Sequence, residues 1–222
     1  MNGSPLIGVL ALQGGVIEHV RMLEQSGAKT RLVRRPEHLA GLDGLVFPGG
    51  ESTTMSKLLE LGGMLEPLHA LIDAGVPCYG TCAGLILLAT DILDTRSDAH
   101  SLGALDVTVR RNAFGRQVDS FETDLTVDGV TGSSGGGTEP AEDVPVHAVF
   151  IRAPWVEEVG PGVQVLSRVS DGGPADGAVV AVRQGAVLGL SFHPELTGDD
   201  RLHRYFLRMV AERRGNRPDT VR

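Results

Sequence analysis

Short apolar runs alternate with helical patterns along the first half of the chain. LIGVLAL, Leu6 to Leu12, is continuously apolar, as a strand buried on both faces is. The stretch after it places Val16, Val20 and Leu23 on one helical face, with Gly27 as a stop. TRLVR and GLVFP read as the next strands. STTMSKLLELGG reads as a helix with Ser52 as N-cap and a glycine pair at its end. MLEPLHALIDAG reads as a further helix, VPCYG as a strand and LILLATDIL as an apolar helix. Strands apolar on both faces and alternating with helices predict a parallel sheet covered on both sides.

The second half has a different rhythm. ALDVTVR, FETDLTV, VHAVFIR, VQVLSRV, AVVAVRQG and VLGLSF are strand-like, with few helices between them. They predict antiparallel additions to, or beside, the parallel sheet. GDDRLHRYFLRMVAERRG reads as a closing helix, with acids at its start and bases at its end to suit the helix dipole. Asp128 to Pro145 is rich in Gly, Ser and acids and reads as a surface insertion loop. A single domain over residues 1–212 is expected, with a frayed tail at 213–222.

Composition narrows the function classes. Apolar residues make up 41% of the 222 and charged residues 22%, the ordinary globular range. The formal net charge of -8 disfavours a nucleic-acid partner, since phosphate backbones are bound by basic patches. No apolar run is long enough to cross a bilayer, and the N-terminus lacks a basic signal-peptide region. A cytoplasmic protein without a membrane partner is the expectation. The only cysteines are Cys78 and Cys82, too few for a disulfide framework, and no spacing suggests a metal site.

Cys82 carries the first chemical signal. It lies in GTCAG, between a strand and a helix, which is the layout of a nucleophile elbow with cysteine in the nucleophile's place. Side chains at Gly80 and Gly84 would clash at so tight a turn, and a helix N-terminus favours thiolate. The structural alternative is a small buried cysteine in a Gly-rich turn.

A thiolate needs a proton partner. His19, His38, His69, His100 and His203 fall in helices or polar connections and are expected to be solvated or to lie on helix faces. His147 begins an apolar strand and reads as structural. His193 follows VLGLSF directly, at the strand end where open α/β sheets place their sites. Glu195, two residues on, can take the second imidazole N–H and fix the tautomer. The alternative is a strand-capping His beside a solvated Glu. The order Cys, His, Glu departs from the nucleophile, acid, His order of α/β-hydrolases. In FPGGEST, residues 47–53, a strand breaks at Pro48 and two glycines precede a helix. Free N–H groups there suit an oxyanion hole, and a P-loop lysine is missing.

PGGEST, GTCAGL and SFHPEL, in that order and spacing, resemble a class I (triad) glutamine amidotransferase. With LALQGG, RRNAFGRQVDSFE and FIRAP, the chain more narrowly resembles the glutaminase subunit of pyridoxal 5′-phosphate synthase, over about residues 6–212. The resemblance implies a flavodoxin-like three-layer α/β/α fold with added antiparallel strands. It implies hydrolysis of glutamine to glutamate and ammonia through a Cys82 thioester, without a cofactor. His193 would be the general acid/base, oriented by Glu195, with Gly50 and the Ala83 N–H at the oxyanion. Gly50, Glu51, Ser52, Arg111, Ile151 and Arg152 would hold the glutamine. An α-carboxylate calls for an arginine or backbone donors, although by position alone Arg111 and Arg152 are ordinary strand-end charges.

The implied partner is a separate (β/α)8-barrel synthase subunit that condenses the ammonia with a pentose phosphate and a triose phosphate. The implied glutaminase is largely inactive until that subunit docks, and Gln13 is a candidate part of the switch. The stretch from Thr131 to Asp143 is longer than the resemblance leads one to expect. Competing readings are an ammonia-supplying subunit for histidine, purine or tryptophan synthesis, an interaction subunit with a degenerate triad, and a Cys-dependent hydrolase or stress protein of the flavodoxin-like superfamily. RNAFGRQVDSFE and FIRAP weigh against the first, the complete Cys82, His193 and Glu195 set against the second, and the position of Glu195 against the third.

Overall fold

A computed structural model describes residues 3–96, 98–113, 120–130, 144–170, 172–173 and 175–215. Most of the insertion expected at 128–145 therefore lies outside the described residues, as do residues 114–119 of the RNAFGRQ stretch and the tail from 216.

Four strands lie side by side in parallel, in the order β1 (Leu6–Leu10), β3 (Gly44–Phe47), β4 (Cys78–Thr81) and β12 (Val187–Leu190). β2 (Lys29–Val33) extends this set in parallel on the outer side of β1. On the far side, β11 (Val179–Gln184) runs antiparallel to β12. Then come β9 (Trp155–Val159), β6 (Leu105–Arg110) and β5 (Ala89–Leu93), with β10 (Gln164–Arg168) also paired to β11. A separate antiparallel pair joins β7 (Ser120–Leu125) and β8 (Val146–Ile151).

Alternate residues of the central strands feed two cores, so neither sheet face meets water. On one face Leu45, Phe47 and Cys78 pack with side chains of α2 (Ser52–Leu61), α3 (Leu65–Asp73) and α4 (Ala83–Leu88). On the other, Val9, Val46, Tyr79 and Leu188 pack with α1 (Val16–Gln25), α5 (Arg201–Gly215) and the β7–β8 pair. The fold is thus the mostly parallel, helix-covered sheet with antiparallel additions that the sequence predicts.

Four details differ from the reading of the sequence. LILLATDIL is not one helix: α4 ends at Leu88 and Ala89–Leu93 is strand. Thr90 and Ile92 are β-branched, and the strand has a partner in β6, a tertiary contact that local pattern does not show. VLGLSF is not an antiparallel addition, because β12 belongs to the parallel set beside β4. The strand WVEEV was missed, its two glutamates masking a segment that bridges β11 and β6. The N-cap of α2 is Glu51, not Ser52, with Glu51 Oε1 and Oε2 accepting from the Thr53 and Thr54 N–H groups at 3.1 and 2.7 Å.

Candidate active site

Loops at the carboxyl ends of β1, β3, β4 and β12 meet at one place, as expected for an open α/β sheet. The turn after β4 carries Cys82. Its backbone has φ 48° and ψ −104°, a left-handed conformation that costs a non-glycine residue roughly 1–3 kcal/mol. The flanking glycines explain how the turn closes. A Cβ on Gly80 would lie 2.6 Å from the Gly84 carbonyl carbon, and one on Gly84 would lie 1.9 Å from the Phe47 carbonyl oxygen. Only bare backbone fits between β3 and the first turn of α4. The sulfur thus sits at a helix N-terminus, where the first-turn N–H groups lack intrahelical acceptors.

Strand pairing sets the second element. Leu190 pairs with Thr81, and the Cys82 N–H donates to the Leu190 carbonyl at 2.8 Å. His193 therefore emerges one strand away from Cys82. Its imidazole edge lies against Gly49, where a Cβ would stand 2.3 Å from His193 Cε1 and 3.4 Å from Cys82 Cβ. Glu195 Oε1 accepts from His193 Nδ1 at 2.8 Å, which turns Nε2 toward Cys82. Glu195 is buried, at 5% exposure, so this carboxylate is not the solvated acid of the alternative reading.

Burial alone would depress the His193 pKa. Hydrogen bonds to Cys82 and Glu195 and the negative charge of both outweigh it and raise the pKa to about 10. Burial likewise works to raise the Glu195 pKa, but His19, the His193 hydrogen bond and the His193 charge hold it below the usual carboxylate value. Carboxylate and imidazolium therefore persist together at neutral pH. Cys78 differs: burial pushes its thiol up to about 12, and it is the packing residue expected from its place in β4.

The loop after β3 brings Gly50, Glu51 and Ser52 to the same cleft. Gly50, Glu51, Ser52, Cys82, Arg111, Ile151 and Arg152 all line it, so every glutamine-site residue read from the sequence reaches one pocket. Arg111 Nη2 donates to Glu51 Oε1 at 3.1 Å. Despite partial burial, hydrogen bonds from Thr54 and Thr53 bring the Glu51 pKa down to about 2. Asn112 and Arg152 adopt φ 47° and 44°, so with Cys82 three left-handed non-glycine residues lie at this cleft. Gln13, after β1, accepts from the Glu51 N–H at 2.8 Å through Oε1, and a Cβ on Gly14 would lie 1.6 Å from the Gly49 carbonyl oxygen. Ala83, as the first residue of α4, presents its N–H beside Cys82.

Of the two readings open for His19 and His203, solvated or on a helix face, the structure bears out the helix face: both are fully buried in α1 and α5. His19 Nδ1 lies 2.9 Å from His203 Nε2, and His19 Nε2 lies 3.1 Å from Thr81 Oγ1 and 3.5 Å from Glu195 Oε2. The available signal was periodicity. His19 is three residues from Val16 and four from Leu23, and His203 three from Phe206, so both fall on apolar helix faces. His147, read as structural, is half exposed in β8 between Glu122 and Asp124 of β7, at 2.9 and 3.0 Å. Asn112 and Ile86, which also line the cleft, were not singled out.

A buried Cys–His–Glu set beneath a glycine-rich loop, at the carboxyl ends of a mostly parallel sheet, has the layout of the class I glutamine amidotransferases. Residues 9–212 match the SNO glutamine amidotransferase family, and the chain belongs to it. A pyridoxal 5′-phosphate synthase subunit PdxT from Corynebacterium jeikeium (strain K411) is 64% identical over 208 residues, covering 94% of this chain and 98% of that protein. The PdxT of Rhodococcus jostii (strain RHA1) is 61% identical, covering 93% and 97%. A glutamine amidotransferase crystal structure, 46% identical, has a TM-score of 0.80 and covers 92% of this chain and 98% of that one. PurLQS from Thermotoga maritima, at 18% identity and a TM-score of 0.66, bears on the fold alone.

Proposed function

We propose that this chain is the glutaminase subunit of a pyridoxal 5′-phosphate synthase and supplies it with ammonia from L-glutamine. The observation that carries the chemistry is the approach of Cys82, His193 and Glu195 just beyond the carboxyl ends of two adjacent parallel strands. The close identity to PdxT proteins favours this pathway over histidine or purine synthesis.

Glutamine enters with its α-carboxylate toward Arg111 and Arg152 and its α-amino group toward Glu51. The Cys82 sulfur attacks the side-chain amide carbon, and the oxyanion is held by the Ala83 and Gly50 N–H groups. His193, protonated at Nε2, gives that proton to the departing ammonia, leaving a glutamyl thioester. The neutral imidazole then takes a proton from water as the water attacks the thioester, and collapse of the tetrahedral adduct breaks the C–S bond, releasing glutamate and restoring the Cys82 sulfur anion beside a protonated His193. Glu195 holds Nδ1–H throughout, so Nε2 always faces the reacting atoms. Ammonia is a nucleophile only while unprotonated, which favours direct passage to a docked synthase subunit in the cytoplasm.

The test is glutamate release by the purified chain with and without the synthase subunit of the same organism. Release is expected to be slight alone and to rise on addition of the partner. Full activity without the partner would contradict the subunit assignment, and no glutamate under either condition would contradict the glutaminase assignment.

A further inference from the structure

The buried pair His19 and His203 is not used by the chemistry above. Among the described residues His203 Nδ1, and beside the pair Glu195 Oε2 and Tyr79 Oη, are buried without hydrogen-bond partners. The rings of His19, Tyr79 and His203 lie 5.1 to 5.9 Å apart, so the pair is held by packing rather than free to turn. Two polar contacts leave the cluster toward the site. Thr81 Oγ1 is 3.1 Å from His19 Nε2 and accepts from the Gly49 N–H, also at 3.1 Å. Glu195 Oε2 is 3.5 Å from the same Nε2, too long for a full hydrogen bond but within reach of an N–H dipole.

We propose that His19 is a positioning residue for the glutaminase reaction. Its Nε2–H fixes the Glu195 carboxylate and, through Thr81, the Gly49 loop, while His203 donates from Nε2 to His19 Nδ1. The proposal rests on the glutaminase reading above. The tautomer follows from the charge: a carboxylate at 3.5 Å draws the N–H dipole, so Nε2 carries the proton and Nδ1 is left as acceptor. Burial, the largest influence, lowers the pKa of His19 and brings that of His203 to about 3, so both rings act as dipoles rather than charges. The groups facing them are Glu18 on α1, Tyr79 and Thr81 on β4, His193 and Glu195 after β12, and Asp199 ahead of α5. Among the described residues, Glu195 alone of the acids sits within 4 Å of a His19 ring nitrogen. One buried imidazole thereby couples the acid of the triad to the loop that carries Gly50.

The test uses the complex with the synthase subunit and measures glutamate release against pH. Rates are counted per Cys82 site titrated with a diazoketone analogue of glutamine. His19→Met removes the N–H at similar volume. It is expected to lower kcat about tenfold, with KM unchanged, because one interaction with a charged group is lost. Without that dipole the Glu195 pKa rises, so the acid limb of the kcat profile moves to higher pH. His19→Gln, which places an amide N–H near the lost Nε2, is expected to restore most of kcat and return the limb. Unchanged kcat and limb in His19→Met, or His19→Gln no better than His19→Met, would overturn the proposal. Should His19→Met not fold, His203→Gln reads the same coupling: a smaller fall in kcat with the limb displaced the same way supports it, and an unmoved limb overturns it. Turnover by Cys82→Ala would sink the glutaminase reading itself. Loss of turnover there beside an unimpaired His19→Met would sink only this proposal.

Discussion

Replacing Glu195 by Gln isolates what the buried carboxylate contributes. The side chain keeps its shape, yet the 2.8 Å bond from His193 Nδ1 becomes one to a neutral amide, and the amide N–H₂ must face the His19 side or turn toward His193. A buried hydrogen bond between charged groups is worth about 2–3 kcal/mol. At 1.36 kcal/mol per tenfold, kcat should fall by about 30- to 150-fold. KM for glutamine should hardly change, because Gly50, Glu51, Arg111 and Arg152 are untouched. The pH profile gives an independent sign. Burial lowers the His193 pKa while Cys82 and Glu195 raise it, so losing the carboxylate lowers it and moves the basic limb to lower pH. The assay is steady-state glutamate release in the complex across pH, with folding checked by thermal unfolding. A well-folded variant within about threefold of the parent rate, with its basic limb unmoved, would refute the reasoning, since so small a loss is under 1 kcal/mol.

Gly84→Ala should cost about 3 kcal/mol or more, read by urea denaturation, because its Cβ would lie 1.9 Å from the Phe47 carbonyl oxygen and neither backbone can yield. Arg111→Ala should raise KM for glutamine about 10- to 100-fold with little change in kcat, since the proposed role of Arg111, which lines the cleft, is a charge-assisted bond to the substrate carboxylate made before chemistry begins. Iodoacetamide on the folded protein should label Cys82 and spare Cys78, whose thiol is fully buried and pushed up to about 12; peptide mass mapping reads the outcome.

How much of this could be read in advance depends on where the signal resides. The parallel core was legible because β1, β3 and β4 are short apolar runs followed by turn residues and helical periodicity. The elbow was legible because glycine at positions 80 and 84 has a steric cause that the distances bear out. The boundary at Leu88 and the strand at 155–159 were not, because both depend on partners far away in sequence. The burial of His19 was left open between a solvated and a helix-face position, because Thr81, His203 and Glu195, the partners that let an imidazole be buried on an apolar face, lie far from it in sequence. The Arg111–Glu51 pair joins residues 60 positions apart and could be anticipated only through the resemblance.

The most direct test assembles the synthase complex with Cys82→Ala and measures pyridoxal 5′-phosphate formation from glutamine and, separately, from an ammonium salt. The account predicts no product from glutamine and near-parental product from ammonium. Product from glutamine at the parental rate would contradict it.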